Sequence, residues 1–290
     1  MKIKNININN YRAFYGEYQI NLDGKNALVY GENGSGKSSL FYRLRDFFEA
    51  SSHSVSLDEN IFIQDSDKDT VSVGVDFFDR NDKSKTSSIK IDKSNTSTTD
   101  LLMNNANKVK AFFDYKKLLK THFIDKEKVD IFNILIDDIL YYSSNRFSKN
   151  NFGDDWNKIN KLKVTKKSSS NYTECETLLN HFNLGLKEKL ETIKDKANTF
   201  IDYFNYGIKI DFEFKDIDIY GKQKDIRNNE IILKIEFFDK HIDKHHTFFN
   251  EARLTALEIS LYLSSILSNP LEIDYKIMFL DDVLIGLDMS

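Results

Sequence analysis

The chain has 290 residues, 40% of them apolar and 30% charged, with a formal net charge of −4. That balance suits a globular protein with an ample core and excludes a generally basic, histone-like binder of nucleic acid, though not a local basic patch. The single cysteine, Cys175, excludes an internal disulfide framework, and no apolar stretch approaches the ~20 residues of a membrane span, so the expected setting is the cytoplasm with no membrane partner.

Ile6 and Ile8 alternate with asparagines, and Tyr18, Ile20 and Leu22 repeat the period of two, which predicts two strands. The apolar run Ala27-Leu28-Val29-Tyr30 reads as a buried strand. It feeds a glycine-rich segment, Gly31 to Ser39, after which Leu40, Phe41, Leu44, Phe47 and Phe48 fall on one side of a helix. Val71, Val73, Val75 and Phe77 alternate, Ile89 and Ile91 belong to a neighbouring strand, and Asn81 to Lys85 reads as the hairpin tip between them.

Near residue 105 the character becomes helical. Val129, Phe132, Leu135, Ile136 and Ile139 repeat at helical spacing, as do Leu178, Phe182, Leu186, Leu190, Ile193, Ala197, Ile201 and Phe204, with Gly185 interrupting the second helix. The polar stretch around Lys161 to Thr173 reads as an exposed loop. Its lysines, Lys161, Lys163, Lys166 and Lys167, either contact DNA or a partner or simply form a solvated face. Strands resume after 206 with Ile208, Ile210, Phe212 and Phe214, and Ile231 to Phe238 is rich in β-formers. A helix then runs from about Glu251 to Leu267, stopped by Asn269-Pro270, and Ile277-Met278-Phe279-Leu280 forms a short buried strand ending in Asp281-Asp282. The expected division is an N-terminal lobe (1–105), a helical insert (106–206) and a C-terminal lobe (207–290). The insert lacks sustained heptads, so it reads as a short helical lobe and not a long coiled coil.

The segment Gly31-Glu32-Asn33-Gly34-Ser35-Gly36-Lys37-Ser38-Ser39 has the form G-x-x-x-x-G-K-S, a P-loop. Its glycines let successive N–H groups, from Asn33 through Ser39, converge on phosphate oxygens. Lys37 reaches the β- and γ-phosphates, the Ser38 hydroxyl is placed for Mg²⁺, and the following helix aims its positive end at the same anion. The motif therefore implies binding of a nucleoside triphosphate. The strand ending in Asp281-Asp282 has the form of a Walker B strand. Asp281 would hold Mg²⁺ opposite Ser38, and Asp282 sits where a general base orients the attacking water. Roughly 240 residues separate the two motifs, too many for one βαβ unit.

With that spacing the chain resembles the ABC-type ATPase heads of the SMC and RecF kind, along nearly its whole length. Ile8-Asn9-Asn10-Tyr11-Arg12-Ala13-Phe14 resembles the family's opening motif, which implies that Arg12 lies near nucleotide. Gly31 to Ser39 matches the family P-loop, and Leu280-Asp281-Asp282-Val283 is similar to the RecF-like Walker B. Gly286-Leu287-Asp288 resembles the D-loop, which crosses the dimer interface. Asn250-Glu251-Ala252-Arg253-Leu254 stands in the place of the signature motif but lacks its Ser and Gly. Asn250 can still cap the helix, so Asn250, Glu251 and Asp288 would act in trans on a partner's nucleotide. "NEARL" before such a helix is similar to bacterial AAA-labelled ATPases of phage-defence and restriction-like operons. The Q-loop position falls near Leu118 to Phe123, where His122 would take the Gln role; Gln64 competes by residue type but lies early.

The resemblance implies an α/β P-loop NTPase with mixed sheets and a helical insert between its Walker A half and its signature and Walker B half. ATP and Mg²⁺ would be its cofactors, and a homodimer would sandwich the nucleotide and gate DNA or an effector nuclease in DNA repair or anti-phage defence. The alternative is a nucleotide-sensing scaffold that holds a toxin or nuclease and hydrolyses little. In the family a further helix, strand and switch histidine follow the D-loop, whereas the sequence ends at Ser290. The expectation is an incomplete site in which binding outlasts hydrolysis.

Overall fold

The computed structural model describes residues 1–109, 111–114, 130–141, 143–162, 170–220, 225–268 and 277–281. In chain order, β1 (Lys2–Asn9) and β2 (Glu17–Asn21) precede α1 (Lys37–Glu49), β3 (Ser72–Phe78), β4 (Thr86–Asp92), α2 (Leu101–Val109) and β5 (Ala111–Asp114). A π-helical turn at Ile134–Ile139, α3 (Phe152–Lys161) and α4 (Ser170–Tyr203) follow. Then come β6 (Ile208–Phe214), β7 (Asp218–Tyr220), β8 (Asp225–Arg227), β9 (Ile231–Phe237), β10 (Lys240–His241), α5 (His245–Phe248), α6 (Glu251–Leu267) and β11 (Met278–Asp281). These pack as two compact units, Met1–Phe113 with Glu272–Asp281, and Asp114–Leu271 with Asp282–Ser290.

The first unit is built on an antiparallel sheet in the order β2-β1-β3-β4. Because side chains alternate across a strand, Ile6 and Ile8 of β1, Val73, Val75 and Phe77 of β3, and Ile89 and Ile91 of β4 share one buried core. Leu40, Phe41, Leu44, Phe47 and Phe48 of α1 fill it, each burial worth about 1.5–3 kcal/mol. Asp76 ties the strands together on the sheet's other face. Its carboxylate accepts from Asn5 and Asn7 of β1, both at 3.1 Å, and from the Ser88 hydroxyl of β4 at 2.6 Å. The 81–85 segment is the tip of the β3–β4 hairpin, as its composition suggests.

The buried strand expected at Ala27–Tyr30 is not formed. The backbone there is irregular, and Leu28 and Tyr30 are 90% and 96% exposed. An apolar run makes a strand only where a ladder partner is available, and β11 pairs with β5 instead. β11 itself is half-buried. Ile277 and Phe279 pack on the core, whereas Met278 and Leu280 are exposed, so the strand is not the fully buried one its apolar run implies.

In the second unit α4 carries a buried stripe, Tyr172, Cys175, Leu179, Phe182, Leu186, Leu190, Ile193, Ala197 and Ile201, at spacings of three or four. Gly185 does not interrupt it. A Cβ at that position would lie 2.3 Å from Asn145 Oδ1, so the glycine admits the Asn145 amide against the helix. Trp156 packs between Phe132 and Phe182, with ring centres at 5.0 and 5.5 Å, and Cys175 is a buried packing residue. Two asparagines of α4 close backbone edges. Asn198 bonds both the N–H and carbonyl of Ile210, and Asn183 does the same for Ile217. One core joins these helical residues to Ile208, Ile210, Ile231 and Ile235 of the strands and to Leu254, Leu257 and Leu261 of α6. No described helix is long and apolar enough to cross a membrane.

Candidate functional site

The glycine-rich segment takes the backbone its composition demands. Gly34 and Gly36 have φ of +86° and +94°, in the left-handed region that L side chains rarely adopt, and Ser35 N–H closes a turn onto the Glu32 carbonyl at 3.1 Å. Gly36 is the N-cap of α1. No side chain caps that helix and no acidic residue lies in its first turn, so the N–H groups of Lys37, Ser38 and Ser39 are left to an anion. Asn33, Gly34 and Ser35 are exposed and Ser38 and Ser39 half-buried. The Lys37 ammonium folds back on the loop, donating to the carbonyls of Gly31 at 3.0 Å and Glu32 at 3.1 Å. It is thereby held within the loop whose carbonyls a phosphate would replace as its partners.

The segment after β1 lies against this loop. A Cβ at position 36 would stand 3.2 Å from the Ala13 Cβ and 3.6 Å from the Phe14 ring. Arg12, one residue earlier, has φ +44° and Asn10 has φ +50°. Several bonds hold this strained turn in place. Arg12 N–H donates to the Asp58 carbonyl at 3.3 Å, and the Asn60 amide donates to the Arg12 carbonyl at 2.5 Å. Asn60 N–H donates to the Asn10 carbonyl at 2.9 Å. The Arg12 side chain donates through Nε and one terminal nitrogen to the same Asp58 oxygen, at 2.9 and 2.6 Å. Partial burial works against the Arg12 cation, but the bond and charge of Asp58 outweigh it and hold the group above its ordinary value.

Arg12 is also one member of a chain of cations and rings. Arg43 Cζ lies 4.4 Å from the Tyr11 ring centre, Arg12 Cζ 5.4 Å from the same ring and 5.0 Å from Tyr42, and Arg45 Cζ 4.9 Å from Tyr42. Arg43 is fully buried, and none of its three guanidinium nitrogens has a hydrogen-bond partner in the described structure. Burial pushes it down to about 10, against the pull of Tyr11 and Asp46. Burial first, then Asp46, pushes the Tyr11 phenol up; its hydroxyl donates to Asp46 at 3.0 Å. These partners were not legible in local spacing. Asp58 and Asn60 lie nearly fifty positions beyond Arg12, and Arg43 sits in the apolar face of α1 between Phe41 and Leu44.

Asp281 ends β11 in the same unit. β11 touches α1 through Phe279, whose ring centre is 5.7 Å from that of Phe48, so this contact is made at the C-terminal half of the helix and not at the turn carrying Ser38. No group of three or more His, Cys, Asp or Glu side chains arranged for a metal occurs among the described residues. Gln64 is exposed and precedes a short 3-10 helix at Asp65–Thr70. In the second unit Asn250 caps α6 as its residue type suggests, its Oδ1 accepting the Arg253 N–H at 3.1 Å. α6 is buried along most of its length, and Asn250 and Glu251 are exposed at its start. Lys161 is exposed at the end of α3. His122, Lys163, Lys166, Lys167, Asp282 and Asp288 lie outside the described residues.

Solved structures give the fold a place. Over 99% of its length the chain is similar to an Smc head bound to the C-winged helix domain of ScpA, with a TM-score of 0.55, 9% identity and 82% of that chain covered. It is likewise similar to the recombination mediator protein RecF bound to ATP in the RecFOR pathway (TM-score 0.54, 14% identity, 86% covered). The fold is that of Smc head domains and RecF. A third such structure is the Smc head domain of Pyrococcus furiosus, with an extended coiled coil and bound to the C-terminal domain of ScpA (TM-score 0.52, 10% identity, 83% covered). No protein-family model and no curated protein sequence matches the chain. Within this fold, the glycine-rich loop and the turn at Arg12, with Ala13 and Phe14 beside Gly36, fall in one compact unit.

Proposed function

We propose that the chain is an ATP-binding head that dimerises around ATP and Mg²⁺ and hydrolyses the nucleotide to gate DNA or an effector nuclease. The observation that carries this reading is the start of α1. Two left-handed glycines, a helix N-terminus that no side chain caps and the Lys37 ammonium together make a cradle for a polyphosphate. Ser38 and Asp281 are the residues that would hold Mg²⁺, which when bound neutralises charge building on the phosphates. Asp282 would take a proton from the attacking water, with His122 as the residue in the Q-loop position. Asn250, Glu251 and Asp288 would reach the nucleotide of the second copy, and the exposure of Asn250 and Glu251 supports that role for those two. The three-part division into N-terminal lobe, helical insert and C-terminal lobe belongs to the same proposal.

The test is ATP-dependent association, measured by analytical ultracentrifugation. The dimer should form with ATP and Mg²⁺, disappear in Lys37→Ala and persist in Asp282→Asn. A chain that stays monomeric at high concentration with ATP and Mg²⁺ sinks the sandwich.

One observation favours a second reading, a nucleotide-sensing scaffold with little turnover. The Asn250 side chain already takes the Arg253 N–H, a donor at the start of α6 that a partner's phosphate would otherwise use. Robust DNA-stimulated hydrolysis would count against the scaffold.

A further inference from the structure

The Arg12 side chain has a partner that resembles, in charge and geometry, the anion proposed for the neighbouring loop. A single oxygen of Asp58 accepts two of its N–H groups, at 2.9 and 2.6 Å. Both side chains are open to solvent, 34% exposed for Arg12 and 53% for Asp58, so the pair can exchange with anions from solution. The guanidinium keeps support when the carboxylate lets go, because the Tyr11 and Tyr42 rings lie within 5.4 and 5.0 Å of it. Its backbone stands next to Ala13, whose Cβ lies 3.2 Å from where a Cβ on Gly36 would stand, and it is held at φ +44° by bonds at its N–H and its carbonyl. A positive φ at a bulky residue persists only where its surroundings impose it, here beside the phosphate loop.

We propose that Asp58 is an internal competitor for Arg12, an anion that holds the guanidinium until a nucleotide phosphate takes its place. The inference rests on the nucleotide reading above. Binding then involves an exchange of partners. Arg12 leaves a singly charged carboxylate for a more highly charged phosphate, and Asp58 is left as a negative charge beside the site. The carboxylate thus lowers affinity twice, by occupying the cation and by repelling the ligand.

The experiment is calorimetric titration of the whole chain with ATP in the presence of Mg²⁺. Asp58→Asn, which is isosteric and sits at an exposed position, should bind about two- to fivefold more tightly than the unaltered chain, the range an exposed ion pair yields. Asp58→Ser should move affinity the same way. Arg12→Ala should bind more weakly, and Asp58→Asn should gain less on that background than in the unaltered chain. Raising the salt should narrow the gap between the unaltered chain and Asp58→Asn. A contact that merely supported the turn would lose affinity when removed, so unchanged or weaker binding by both Asp58 variants overturns the proposal. An equal gain in the absence of Arg12 also overturns it, leaving plain repulsion. Binding that Lys37→Ala leaves intact defeats the nucleotide reading and the competitor with it, whereas Lys37-dependent binding without an Asp58 effect defeats the competitor alone.

Discussion

The Lys189 ammonium donates to the Ser268 carbonyl at 2.7 Å, so a buried cation from the middle of α4 closes the C-terminal end of α6. Lys196, two turns along α4, donates to the adjacent Leu267 carbonyl at 2.9 Å from an exposed position. Cations complement the negative end of a helix, and the effect grows as water is excluded. Lys189→Met should cost about 1.5–3 kcal/mol, the value of a hydrogen bond to a charged group, and Lys196→Met about 1 kcal/mol or less. Urea unfolding of the two variants measures the difference, and equal losses would refute the assignment.

Gly185→Ala should destabilise, against the ordinary rule that alanine gains about 1 kcal/mol over glycine inside a helix. The new Cβ would meet Asn145 Oδ1 at 2.3 Å. Asn145 is not free to retreat, since its amide donates to Asp155 at 3.0 Å and to the His181 carbonyl at 3.1 Å. Asp155 is fully buried and depends on such donors. We expect a net loss of about 1–3 kcal/mol, and a smaller additional loss when the substitution is made on an Asn145→Ala background.

Lys37→Ala should leave the unfolding midpoint unchanged, because the ammonium bonds only to carbonyls of its own loop. ATP affinity should nevertheless fall by roughly 30- to 150-fold, the loss of one charge-assisted contact of about 2–3 kcal/mol. Parallel thermal unfolding and ATP titration check both halves.

Acid should weaken the first unit through Asp76. Partial burial pushes its carboxyl up, but the donors Ser88, Asn5 and Asn7 outweigh that and hold it below the usual carboxylate range. A depressed folded value contributes stability above the unfolded pKa of about 3.9 and loses it as pH falls through the folded value. Asp76→Asn should therefore lower stability at neutral pH and flatten the decline below about pH 4, as followed by urea midpoints between pH 2 and 7.

What the sequence made legible was local and periodic. The alternation of Val73, Val75 and Phe77, the buried face of α1 and the Asn250 cap need no knowledge of distant residues. The bend of the glycine-rich segment was legible for the same reason, since its backbone demands are met by Gly34 and Gly36 themselves. Ala27–Tyr30 was misread because composition states a preference for a strand but does not supply its neighbour. Gly185 was misread because helix propensity yields to the packing of Asn145. The anion that holds Arg12 was invisible, since the segment at Asp58 lies 46 positions away in the chain and meets the Arg12 turn only through the tertiary fold.

The irregular backbone at Leu28–Tyr30 leaves the glycine-rich loop anchored to regular structure on one side only, at the start of α1. The far half of that helix meets β11 through the contact of Phe48 with Phe279. The loop and β11 are therefore joined through a helix and not through a shared ladder of hydrogen bonds.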